Sequence, residues 1–230
     1  MNPPSRKIKT ERFRSILQFF AALTLSFIAV APVLRPIFAQ EADWAKRDAW
    51  QRPAEVMDAL GAKAGSVVAD VGAGPGYFTF RLAERVGPNG KIYAEDILKE
   101  RLDSIREHAA KENFAQVQTI LGAPDDPKLP ADSLDAALVV NAYHEFRDYD
   151  AMLQRIFRAL KAGGHFAVID CPADPGQPRE SYYSRHHIPK EMVQGDLERN
   201  GFQFVRELQG FTDPDGGRTY FFLLYEKPNS

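Results

Sequence analysis

The segment Val67–Phe80, VVADVGAGPGYFTF, holds the residue types best suited to binding chemistry. An apolar run ends around Asp70, and Gly72, Gly74 and Gly76 follow at alternate positions before a helical pattern begins. Glycines so spaced let a backbone turn tightly and approach a ligand closely. The dinucleotide fingerprint G-x-G-x-x-G seats a pyrophosphate on a helix N-terminus. Here the spacing is G-x-G-x-G, and Tyr77 stands where that fingerprint needs its third glycine. Asp70, two residues ahead of the first glycine, either caps the turn or faces the ligand.

A second group is Tyr143, His144 and Glu145, within NAYHEF. His144 is a candidate general base, oriented by Glu145, for a nucleophile that arrives protonated. It can equally be a structural residue at a strand end. Arg185, His186 and His187 form a third group, close to Tyr182 and Tyr183, which make either an aromatic wall or core. Two histidines with His144 and Glu145 have the types of a metal site. Adjacent side chains point in different directions, however, so no metal is expected. With Cys171 as the single cysteine, neither an intramolecular disulfide nor a cysteine-based zinc site can form.

Regular elements must hold these groups in place. Short apolar runs at Ser66–Val71, Lys91–Asp96, Gln116–Leu121, Leu134–Val140 and His165–Asp170 read as buried strands. Helical patterns lie between them, at Gly76–Val86, Leu98–Lys111 and Tyr149–Leu160. A capping segment at Trp44–Leu60 precedes them, with a helix from Pro53 that stops at Gly61. A last helix, Pro189–Asn200, ends at Gly201, and two late strands follow at Gln203–Leu208 and Thr219–Glu226. This alternation predicts an α/β, doubly wound, mainly parallel seven-stranded sheet with helices on both faces. The turn-rich FTDPDGG between the last two strands predicts an antiparallel C-terminal edge pair. Ligands in such a fold bind at the carboxyl ends of the strands.

Over Pro53–Lys227 the chain resembles the class I, Rossmann-like methyltransferase family. The resemblance rests on ADVGAGPGYF, on Asp96 closing the second strand, on the loop GAPDDPKLP, on LDAALVVNAYHEF, and on RALKAGGHFAVID, in that order. Within that family it is similar to a bacterial subgroup with signal peptides and a Tyr-His-Glu motif at the fourth strand. The resemblance implies S-adenosylmethionine as cofactor. It places Gly72, Ala73, Gly74 and Gly76 in the cofactor loop, with Asp70 holding the methionine ammonium. Asp96 would accept short charge-assisted bonds from both ribose hydroxyls. Ile97 would pack on one adenine face, and Asp125 or Asp126 would accept from the adenine amino group. Asn141 would line the methyl-transfer face. The acceptor would be a small molecule or an envelope component.

Charge and the N-terminus bound the setting. The formal net charge is −2, yet residues 1–39 hold six basic side chains and one acid, so the remainder is more acidic than the whole. An acidic domain with no basic stripe argues against a nucleic-acid substrate. Residues 1–14 are basic, and Ser15–Leu34 carries no charge. Residues 1–39 therefore read as a secretory signal cleaved after Ala39, or as a retained membrane anchor that tethers the domain 40–230. Either way the domain is expected outside the cytoplasm, periplasmic if the signal is cleaved. Export away from the cytosolic cofactor supply favours a rival reading, a non-catalytic Rossmann-like binding protein. The intact glycine loop with Asp96 favours the enzyme. The loop spacing argues against a dinucleotide-dependent oxidoreductase. Oligomeric state has no sequence marker.

Overall fold

The computed structural model describes residues 37–229. Residues 1–36, which hold nearly all of the expected signal or anchor, lie outside the described residues. The chain divides after Gln40, and the fold below belongs to the unit Glu41–Ser230. Among the described residues no helix is long and apolar enough to cross a membrane.

The elements run α1 (Ile37–Gln51), α2 (Pro53–Ala59), β1 (Val67–Val71), α3 (Tyr77–Val86), β2 (Lys91–Asp96), α4 (Lys99–Lys111) and β3 (Val117–Leu121). Then come β4 (Leu134–Val140), a 3-10 turn at Tyr143–Glu145, α5 (Tyr149–Ala159), β5 (Leu160–Asp170), α6 (Glu180–Tyr183), α7 (Lys190–Arg199), β6 (Gln203–Thr212) and β7 (Thr219–Glu226). The seven strands form one sheet in the order β3-β2-β1-β4-β5-β7-β6. β1 to β5 pair in parallel, and β7 is antiparallel to both β5 and β6. This is the expected architecture. β7 inserts between β5 and β6, so β6 alone is the outer edge on that side.

Strands covered on both faces explain the continuous apolar runs. Val68, Ile92, Leu138 and Ile169 pack on one side with Val56, Leu60 and Leu82 from α2 and α3. Ala69, Val71, Val139 and Val168 pack on the other with Leu153, Ile156 and Leu197 from α5 and α7. α4 buries Ile105 and Ala109 against Ala94 of β2.

Two differences from the sequence reading have local causes. A helix precedes the one expected at Pro53; Arg52, at φ 47°, breaks the chain between α1 and α2. β5 starts five residues before the expected His165. Lys227 bonds across Gly163 and Gly164, so the glycine pair is absorbed into the strand beside a register shift near Leu134.

Leu153 is fully buried in the cluster that joins α5 to the sheet. Leu153→Ala is expected to lower the unfolding free energy by about 2–5 kcal/mol. Urea unfolding checks this: the midpoint falls while the slope is unchanged.

Candidate active site

A cavity of about 500 Å³ opens at the carboxyl ends of β1, β2 and β4. Its size suits a small-molecule ligand. The glycine loop between β1 and α3 forms one wall. Gly72, Gly74 and Gly76 all have positive φ, which glycine adopts without strain. A Cβ on Gly72 would meet the Ala142 Cβ at 2.6 Å, so this glycine lets two loops touch. A Cβ on Gly74 would meet no atom within 4 Å, so the backbone there borders open space. Ala73 and Gly74 line the cavity, while Gly76 serves as the N-cap residue of α3.

Acids crowd this loop. Asp70 is buried and accepts from the Thr79 hydroxyl at 2.7 Å. Burial raises its pKa to about 6. Asp96 accepts from the backbone N–H of Gly74 at 2.9 Å and of Leu98 at 2.8 Å, which fixes its carboxylate at the rim. Glu95 lies beside them, bonded weakly to the Gly72 N–H at 3.3 Å, with a buried Oε1 that has no partner. Burial, reinforced by Asp96 and Asp70, lifts its pKa to about 8. Ile97 and Leu98 expose about half their surface and line the cavity, as do Arg101 and Arg47.

The loop after β3 differs from expectation. Pro124 reaches the cavity wall, whereas Asp125 is exposed and outside the lining set. Asp126 caps its own turn by accepting from the Lys128 N–H at 2.8 Å. Neither aspartate lines the cavity, so the geometry gives the expected adenine contact no support: Asp126 is engaged in its own turn and Asp125 is exposed.

Asn141, at φ 54°, lines the cavity just beyond β4, with Ala142, Glu145 and Phe146. Tyr143 does not face the cavity. Its hydroxyl donates to Asp196 at 2.9 Å inside the core, and burial raises its pKa well above 10. This corrects its expected catalytic place. His144 is fully buried, and Asp170 accepts from its backbone N–H at 3.0 Å and from Nδ1 at 2.9 Å. Burial disfavours a charged ring, yet bonds to Asp170 and Glu145 outweigh it and lift the pKa to about 9. With Nδ1 committed to Asp170 and the ring outside the cavity wall, His144 does not stand where a general base facing the acceptor was expected. His144 Nε2 lies 3.2 Å from His186 Nδ1, and Glu145 Oε1 lies 3.7 Å from each. His187 turns elsewhere, its ring 6.0 Å from that of Tyr182.

The sequence and the fold match a known family. Residues 62–207 fit the model of a methyltransferase domain. The chain belongs to the class I methyltransferase family. The chain is 31% identical to the nocamycin O-methyltransferase of Saccharothrix syringae over 54% of its own length and 44% of that protein. It is 30% identical to the ubiquinone/menaquinone biosynthesis C-methyltransferase UbiE of Vibrio campbellii over 65% of its own length and 59% of that protein. The chain thus spans about half the length of these curated relatives. A solved S-adenosylmethionine-dependent methyltransferase from Aquifex aeolicus superimposes with a TM-score of 0.68 at 25% identity, covering 84% of this chain and 98% of that one.

Sequence reasoning named the loop, Asp96, Ile97 and Asn141, all placed at the cavity or its rim. It missed Arg47, Glu95, Arg147 and Asp170. Asp170 ends β5 as Asp96 ends β2, so the rule that ligands sit at strand ends could have found it. Arg47 comes from a helix before the first strand, and no local pattern marks it.

Glu95 gives the protein a pH signature. Its folded pKa of about 8 lies above its ordinary 4.5, so the folded state keeps a proton that the unfolded chain releases. That contribution is complete below about pH 4.5 and is lost as pH rises through about 8. Glu95→Gln cannot ionise. Thermal melts of the ligand-free protein should show the variant gaining on wild type steadily from about pH 5 to 9. Parallel curves would sink this assignment.

Proposed function

We propose that the protein transfers a methyl group from S-adenosylmethionine to a small molecule. The observation that carries this is the strand-end cavity whose wall joins the open backbone at Gly74 to Asp70, Asp96 and the exposed face of Ile97. These residues fit the cofactor. The missing Cβ at Gly74 leaves room for close approach of a ligand to the loop backbone. Asp96 would hold the ribose hydroxyls, Ile97 an adenine face, and Asp70 with its neighbouring loop the methionine ammonium. The bound cofactor supplies an electrophilic methyl on a sulfonium. The chain's part is alignment and exclusion of water, with Asn141, Phe146 and Met152 bordering the transfer face. Small-molecule acceptors are supported by the names of the relatives, a nocamycin O-methyltransferase and a ubiquinone/menaquinone biosynthesis C-methyltransferase.

Calorimetric titration of the full chain with S-adenosylmethionine, S-adenosylhomocysteine and NAD tests this. Saturable binding of the two sulfur compounds and none of NAD is expected. Asp96→Ala, checked for folding by circular dichroism, should weaken binding by about 1.5–3 kcal/mol, roughly 10- to 150-fold. A folded wild type that binds neither sulfur compound overturns the proposal in favour of a non-catalytic binding protein.

The basic stretch followed by uncharged Ser15–Leu34 supports a second reading, that the enzyme is exported. In a bacterial host, cell fractionation with mass spectrometry of the N-terminus should find the protein outside the cytoplasm. A start at Gln40 marks a cleaved signal and an intact N-terminus in the membrane marks an anchor. Recovery of the intact chain in the cytosol rejects export.

A further inference from the structure

We propose that His144, Glu145 and His186 bind one zinc-class divalent ion, and that this ion receives the thiol or ionisable hydroxyl that becomes methylated. The acceptor half of this rests on the methyltransferase reading above; the ion site does not. These three are the cluster of metal-ligating types found among the described residues. Their donor atoms stand 3.2, 3.7 and 3.7 Å apart. A tetrahedral zinc ion with bonds of about 2.0–2.1 Å spaces its ligand atoms roughly 3.3–3.4 Å apart. The donors already lie within a few tenths of an ångström of that spacing. Two imidazoles and one carboxylate leave the fourth position open, the arrangement of a catalytic rather than a structural zinc. Hard ions such as magnesium prefer oxygen donors throughout.

Three further observations point to a ligand. Asp170, fully buried, takes both the peptide N–H and Nδ1 of His144. This leaves Nε2 as the outward atom, as a carboxylate behind a metal-bound histidine does. His186 adopts φ 54°, a left-handed conformation that strains a residue other than glycine. That conformation directs Nδ1 to the cluster while His187 departs towards Tyr182. The adjacent histidines thus diverge, and only His186 joins the cluster. The loop that carries His186 is pinned by the Ile188 N–H bond to Cys171 O at 2.9 Å and by the 2.6 Å ion pair of Arg179 with Asp196.

Glu145 belongs both to the cluster and to the cavity wall, so an ion here borders the space in which the acceptor must lie. The chemistry balances without an oxidant or reductant. The acceptor X–H loses its proton to water as X binds the ion, and a lone pair of X forms the X–CH3 bond. The methyl–sulfur bond breaks with its electron pair going to sulfur, which leaves a neutral thioether.

The full chain, stripped with a chelator, is titrated by calorimetry with zinc, with magnesium, and separately with S-adenosylmethionine. One zinc per chain is expected, bound more tightly than magnesium. Asp170→Asn should weaken zinc by about 10–100-fold. His186→Ala deletes a ligand on an exposed side chain and should weaken it further, with affinity for S-adenosylmethionine retained as proof of folding. His187→Ala should change nothing. Equal zinc affinity in wild type and His186→Ala, or an equal loss in His187→Ala, overturns the site. Cobalt-loaded protein tests the acceptor half. A shift of its visible bands on adding 2-mercaptoethanol or phenol supports it, and no shift with either overturns it. Cofactor binding without specific zinc binding rejects the ion alone. Zinc binding without cofactor binding upholds the ion and rejects the acceptor assignment.

Discussion

Side by side in the sheet, β1 and β4 send their following connections to opposite faces, and the crevice between those connections is the constraint on which the site depends. After β1 the chain turns through three glycines into α3 on one side; after β4 it turns through Asn141 into the 3-10 turn and α5 on the other. The two loops meet where Gly72 lies against Ala142. Any side chain at Gly72 would push them apart, so close packing at the base of the crevice and the open space above it have one cause.

Parallel strands also bring their terminal side chains to one edge, and here those side chains are acids. Asp70, Glu95, Asp96 and Asp170 all lie at the ends of β1, β2 and β5 and are buried. Burial of like charges is costly, and the structure meets it in three ways. Asp96 and Asp170 accept backbone N–H groups, Asp70 takes the Thr79 hydroxyl with Arg47 nearby, and Glu95 retains its proton. Asp96 and Asp170 are thus held in fixed directions by backbone donors, which sets where their free lone pairs point.

The far wall is stiffened from behind. Asp196 of α7 gathers the Tyr143 hydroxyl, Arg179 and Arg199 within 3 Å. This ties the 3-10 turn carrying His144 to the segment carrying His186. Within one short turn, Tyr143 thus anchors to Asp196 while His144 is held between Asp170 and His186.

The strand pattern, the glycine spacing and the order of motifs determined the fold and several of the residues that line its strand-end cavity. Buried parallel strands need unbroken apolar runs, and a tight strand-to-helix turn needs glycine at set positions, so both are written locally. Asp96, Ile97 and Asn141 were legible for the same reason, since each sits at a fixed offset from a strand end. Tertiary structure decided the rest. Tyr143 and Glu145 differ in direction because of a 3-10 turn whose partner, Asp196, lies 53 residues away. Asp126 was indistinguishable from a ligand-binding acid until its own turn claimed it. His144 meets His186 across 42 residues, through the left-handed backbone of one histidine of an adjacent pair. No periodicity records such a meeting, because it depends on where the sheet places two loops and on one residue's φ.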